Sequence, residues 1–166
     1  RPVTINGGMA MRAWYDIDPS APDSGSDDIR ASAALVDALV ARECERGLDP
    51  GRIVLGGFSQ GGVIALEAGL AAERRLAGLI ALSTYLHDPD HADTRLGLAN
   101  AEAAIFMAHG RGDPMIPIAR AAGSRTRLEQ LGYRVEWHEY PMGHEVCMPE
   151  IRDLSAWLAE KLPATP

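Results

Sequence analysis

The chain has 166 residues, 46% of them hydrophobic, and a formal net charge of −7. That length sets a single domain, residues 1–166, with room for a full core, and the acidic balance without a basic run excludes nucleic acid as a partner. No apolar run reaches membrane-spanning length and no signal peptide is visible, so no membrane insertion is expected; the two cysteines, Cys44 and Cys147, make no disulfide framework, which fits a cytoplasmic location.

In chain order, Val3-Thr4-Ile5 and Met11 to Tyr15 flank Asn6-Gly7-Gly8, a small hairpin or loop. Residues 18–26 are rich in Pro, Ser, Asp and Gly and read as a surface loop. Ser26 is placed to cap a helix, with Asp27 and Asp28 in its first turn. Ile29, Ala33, Val36 and Val40 share one face of that helix, Cys44 packs with it as a small apolar residue, and Gly47 closes it. A short β-branched run at 52–57 predicts a buried parallel strand. Val63 to Leu70, apolar almost all round, predicts a helix buried against a sheet. Strands follow at 79–82 and 104–108, then a helix over about 119–131 that stops at Gly132. Residues 133–140 alternate, with Tyr133, Val135 and Trp137 on one face and His138 facing outward. A last helix starts near Pro149 and buries Ile151, Leu154, Trp157 or Leu158, and Leu162. Strands alternating with helices predict an α/β fold of three layers, a doubly wound, mostly parallel sheet.

Between the strand at 52–57 and the next helix lies Gly56-Gly57-Phe58-Ser59-Gln60-Gly61-Gly62. It contains G-x-S-x-G, the pattern of a nucleophile elbow, in which a sharp turn strains the serine and glycines on either side remove the clashes. About 8% of chains with this glycine content would carry the pattern by chance, so its context matters. In parallel sheets, chemistry gathers at the carboxyl ends of the strands. After 104–108 comes His109-Gly110-Arg111-Gly112-Asp113-Pro114, and after 133–140 comes Pro141-Met142-Gly143-His144. Ser59, Asp113 and His144 thus leave one edge of one sheet, in the chain order of α/β-hydrolases. The run His87-Asp88-Pro89-Asp90-His91-Ala92-Asp93 reads as a solvated loop rather than a metal site, and His109, at a strand end, as structural. No metal or organic cofactor is expected.

The elbow, the His109-Gly110 with Asp113-Pro114 segment, and Pro141 to His144 together resemble the phospholipase/carboxylesterase family, which includes the acyl-protein thioesterases. Met11 to Asp16, Leu79 to Leu86 and Val135 to Tyr140 resemble its bacterial carboxylesterases, so the resemblance runs over nearly the whole chain. It implies a lidless α/β-hydrolase acting on short- to medium-chain esters, a small-molecule ester substrate, Ser59 as nucleophile, His144 as base, Asp113 as acid, and the Gln60 backbone N–H as one oxyanion donor. The family starts earlier, with strands and a His-Gly loop that supplies the second donor. The resemblance therefore implies that the chain, opening at Arg1 without an initiator methionine, covers the C-terminal three quarters of the fold and is N-terminally truncated.

The resulting expectation is a serine carboxylesterase working through an acyl-enzyme, with Leu86, Met115 and Ile116 lining the acyl pocket. A thioesterase or lysophospholipase is the alternative within the class, since the same triad cleaves thioesters. A non-catalytic hydrolase-like fragment that self-associates is the alternative outside it. Without the preceding strand the elbow strand would form a sheet edge, which makes a homodimer an expected partner state.

Overall fold

A computed structural model describes residues 2–4, 7–18, 20 and 25–164. It begins with a two-residue antiparallel pair, β1 (Pro2–Val3) and β2 (Met9–Ala10). The second strand lies ahead of Met11 to Tyr15, which is irregular chain, and Ile5 and Asn6 of the expected hairpin lie outside the described residues. Helix α1 spans Ser26–Glu45 with Gly25, not Ser26, as its cap. The Ser26 hydroxyl is instead 3.0 Å from His87 Nε2. Gly25 presses against the chain ahead of the helix, where an added Cβ would lie 2.8 Å from the Asp16 carbonyl. At the far end Gly47 takes φ +97°, the left-handed stop the sequence predicts.

Asp49 accepts a hydrogen bond from the Gly51 N–H and Pro50 opens a short 3-10 turn over Pro50–Arg52. This turn delays β3 to Val54–Phe58. Then follow α2 (Gln60–Ala71), β4 (Gly78–Leu82), β5 (Ala104–Gly110), α3 (Ile118–Gln130), β6 (Arg134–Tyr140) and α4 (Met148–Lys161). The four long strands pair in parallel in the order β3-β4-β5-β6. The register sets Leu55 beside Leu79, Leu79 beside Ile105, and Ile105 beside Val135. One apolar row therefore crosses the sheet and faces α2 and α3, packing with Leu66, Leu70 and Leu128. The alternate row, Ile80, Leu82, Phe106 and Ala108, packs with Tyr140 and with Trp157 of α4. Each large side chain sealed this way contributes about 1.5–3 kcal/mol. Helices thus cover both faces, which is the three-layer arrangement expected. Among the described residues β3 pairs on one side only, so the elbow strand does form a sheet edge.

Three details depart from the sequence pattern. His138 does not point to solvent: its ring stacks on Phe106 at 4.7 Å, because α4 covers that face. The loop after β4 is solvated at Pro89, Asp90, His91 and Asp93 but is more ordered than the pattern suggests. It folds into 3-10 turns over Pro89–Arg95, buries His87 and Ala92, and is tied to α3 by Arg127 donating to the Pro89 carbonyl. Ile151 is exposed, and the side chain of α4 buried beside Trp157 is Glu150.

Glu150 is 0% exposed, and neither carboxyl oxygen has a standard hydrogen bond among the described residues. Burial pushes its carboxyl up, and the Cys147 backbone N–H offsets only part of that. A carboxyl raised in the fold contributes its full stability below the ordinary glutamate value and loses it as pH rises through the raised one. Glu150→Gln should therefore raise the melting temperature at pH 8, by about 2–4 °C for each 1 kcal/mol relieved. The gain should vanish near about pH 4. Thermal melts at the two pH values check this; a variant that melts lower at pH 8 contradicts it.

Candidate active site

The carboxyl ends of β3, β5 and β6 meet at one place. Ser59 follows β3 immediately and takes φ 53°, ψ −121°, a conformation that costs a non-glycine residue about 1–3 kcal/mol. Its neighbours hold it there. The Ser59 N–H donates to the Leu82 carbonyl at 2.9 Å, and the Thr84 hydroxyl donates to the Ser59 carbonyl at 2.8 Å. The glycines divide the steric work unevenly. An added Cβ on Gly57 would lie 2.1 Å from the Gly61 backbone, and one on Gly62 would lie 2.6 Å from Thr84. One on Gly61 would meet nothing nearer than Trp14 Nε1 at 3.6 Å. The need for glycine thus sits at 57 and 62, and position 61 does not share it as the motif suggests.

His144 reaches this serine from the loop after β6. The loop is docked by the Gly112 N–H donating to the Met142 carbonyl at 3.0 Å and by the Arg111 N–H donating to the Tyr140 carbonyl at 2.9 Å. Close approach needs Gly110, where an added Cβ would lie 2.3 Å from the Gly143 carbonyl oxygen. His144 Nε2 lies 2.9 Å from Ser59 Oγ, and Nδ1 lies 2.8 Å from Asp113 Oδ2. The Phe58 ring packs against the imidazole at 4.8 Å. Asp113 is buried, and its Oδ1 accepts the backbone N–H groups of Met115 and Ile116 at 2.8 and 2.9 Å. Burial pushes its carboxyl up; the Ile116 N–H, the His144 imidazole and the Met115 N–H more than offset this and hold it below the usual carboxylate value. An ionised carboxylate accepts only, so His144 Nδ1 carries the hydrogen and Nε2 is free to accept the Ser59 proton. The arrangement can make an alkoxide nucleophile.

Gln60 heads α2, at the end where backbone N–H groups lack intrahelical partners and favour negative charge. Its side chain has a role the sequence did not signal. Nε2 donates to the Tyr15 carbonyl at 3.0 Å, and Oε1 accepts the Trp14 N–H at 3.2 Å, tying the segment before α1 to the elbow. The expected acyl-pocket residues separate. Leu86, 3% exposed, lies in the core with Leu66 and Met107, its N–H donating to Ser124 Oγ, so it is not available to a substrate. Ile116 is also buried and serves Asp113 through its backbone. Met115, 64% exposed, flanks the site.

Among the described residues no group of three or more His, Cys, Asp or Glu could hold a metal ion. His87 is turned into the fold against Ser26, whereas His91 pairs with Asp88 at 2.9 Å. Chelators are expected to leave hydrolysis unchanged. Loss of activity in EDTA, restored by zinc, would contradict that. No helix among the described residues is long and apolar enough to cross a membrane.

A parallel sheet with a strained serine at a strand-to-helix turn, an aspartate and a histidine after two further strands, and helices on both faces defines an α/β-hydrolase. The chain belongs to the phospholipase/carboxylesterase family, whose model matches residues 1–162. It is similar to an acyl-protein thioesterase 1 of Neurospora crassa, 38% identical over 98% of this chain and 70% of the relative. A Yarrowia lipolytica protein of the same name is 33% identical over 98% and 74%. Among solved structures, Arabidopsis thaliana SOBER1 matches with a TM-score of 0.89 at 23% identity, covering 97% of this chain and 79% of that one. Zea mays acyl-protein thioesterase 2 matches with a TM-score of 0.80 at 26% identity, covering 98% and 78%. The protein is accordingly a hydrolase of the esterase and thioesterase kind.

Proposed function

We propose that this protein hydrolyses acyl esters through an acyl-enzyme formed on Ser59. The observation that carries the reading is the continuous chain Ser59 Oγ, His144 Nε2, His144 Nδ1, Asp113 Oδ2, with steps of 2.9 and 2.8 Å across the two hydrogen bonds. His144 takes the Ser59 proton as Oγ attacks the carbonyl carbon. Asp113 holds the imidazole in the required tautomer and stabilises the imidazolium. The Gln60 N–H, at the head of α2, stabilises the oxyanion. His144 then protonates the leaving alcohol or thiol, and a water activated by the same imidazole releases the acid. Phe58, Met115 and Val146, each exposed and each on a segment that carries a member of the triad, favour an apolar acyl group over a charged one.

A thioester substrate is the second reading, and the names of the 33–38% identical relatives favour it. The carboxylesterase and thioesterase readings share every step up to the leaving group. Steady-state rates on matched oxygen esters and thioesters, each over a series of acyl lengths, decide between them. A thioester kcat/KM above that of the matched oxygen ester at every length would favour the thioesterase. Labelling of Ser59 by a fluorophosphonate, read by peptide mass, tests what the two have in common; an unlabelled Ser59 in active enzyme would sink both.

A further inference from the structure

We infer that His109 is a positioning residue for Asp113: it holds the carboxylate and its loop in line with His144, an inference that rests on the triad reading above. His109 is 1% exposed, the penultimate residue of β5. Its Nε2 lies 2.9 Å from the Ile116 carbonyl oxygen and 3.4 Å from Asp113 Oδ2. A carbonyl oxygen only accepts, so Nε2 carries a hydrogen. That single N–H faces both ends of the segment from Asp113 to Ile116. The oxygen it approaches, Oδ2, is the one that accepts from His144, while Oδ1 accepts the Met115 and Ile116 N–H groups. The carboxylate is therefore fixed by the loop backbone at Oδ1 and by His144 at Oδ2, and His109 fixes the far end of the same loop through the Ile116 carbonyl, its Nε2 standing 3.4 Å from Oδ2.

The ring of His109 is itself held. The Trp137 ring of β6 lies parallel to it within 13°, with centroids 6.5 Å apart. The groups that face it are Asp113 from the loop after its own strand, the Ile116 carbonyl, and the neutral Trp137 indole; His144 acts on it through Asp113. His144 moves a proton at each step, so its bond to Oδ2 changes strength through the cycle. The His109 N–H does not take part in that transfer. It keeps the segment from Asp113 to Ile116 closed and the Oδ2 lone pair aimed while His144 alternates between imidazole and imidazolium. Without it the buried Ile116 carbonyl loses its side-chain donor, and the segment that aims Asp113 at His144 loses its tie to β5. Misplacement of a catalytic group by about 1 Å can cost on the order of 10²-fold in rate.

The test compares His109→Phe with His109→Gln. Phenylalanine keeps a flat ring for Trp137 and removes the N–H; glutamine restores an N–H at a similar reach. His109→Phe should lower kcat by about 10–100-fold with KM little changed, since His109 does not reach the substrate. His109→Gln should recover most of kcat. Rates are taken per folded molecule, with thermal melts giving the folded fraction. Should the phenylalanine variant not fold, His109→Asn, too short to place its N–H at the Nε2 position, takes its place. A wild-type kcat in the Phe or Asn variant, or a Gln variant as impaired as Phe, overturns the inference. Ser59→Ala in the same assay separates the two readings: turnover surviving there defeats the triad itself, whereas an inert Ser59→Ala beside a fully active His109→Phe defeats only the role given to His109.

Discussion

Ser59→Ala is expected to lose on the order of 10⁶-fold in kcat, down to the rate that binding and the oxyanion site alone support. The fold should not share in the loss. Alanine keeps the Cβ, so the strain at φ 53° stays as it is, and the Ser59 backbone bonds to Leu82 and Thr84 are untouched. What disappears is one hydroxyl, whose partner His144 Nε2 can turn to water. Ser59→Gly makes the complementary case. It removes the nucleophile and the strained Cβ together, so it should be equally inert and yet melt higher than the wild type, by an amount that reflects about 1 kcal/mol or more of relieved strain. Single-turnover and steady-state assays with matched melting curves check both. An alanine variant that keeps most of its turnover would show that another group attacks the ester.

Gly57→Ala should cost both stability and turnover. Its Cβ would sit 2.1 Å from the carbonyl carbon and oxygen of Gly61 and 2.5 Å from the Gly62 nitrogen. All three are backbone atoms in the first turn of α2, so nothing there can swing aside as a side chain tip could. The turn must open, moving Ser59 Oγ away from His144 and the Gln60 N–H away from the oxyanion. A loss of about 3 kcal/mol or more in stability and at least about 10²-fold in kcat is expected. Gly61→Ala is the control. Its Cβ meets only Trp14 Nε1, at an ordinary 3.6 Å, and alanine in a helix is favoured over glycine by up to about 1 kcal/mol. That variant should melt at or above the wild type. Denaturant midpoints and kcat for the pair decide the matter: equal behaviour of the two alanine variants would mean that the elbow is looser than the close approach at Gly57 indicates.

The sequence was most legible where local chemistry and strand ends coincide. The glycines flanking Ser59 mark a turn that few residues can make, and His144 follows a strand with clear alternation. Asp113 was harder, since an aspartate before proline is also an ordinary turn residue; its distance of 2.8 Å from His144 is what separates the two uses. The acyl pocket was the weakest reading. Leu86 follows a strand and is apolar, which suits a pocket wall and a core residue equally, and its packing among Leu66, Met107 and Leu128 decides for the core.

By itself, the sequence determined the alternation of strands and helices, the stops at Gly47 and Gly132, and the three strand ends that carry Ser59, Asp113 and His144, because each depends on a pattern spanning only a few neighbouring residues. Only the tertiary structure decided that His138 lies under α4, that Glu150 is sealed without full hydrogen bonding, that the Gln60 side chain ties down Trp14 and Tyr15, and that His109 stands against Asp113. Those depend on which face of the sheet each helix covers and on contacts between residues far apart in the chain. Period and motif cannot express either, since the same local pattern serves a solvated strand face as well as one that a distant helix has closed.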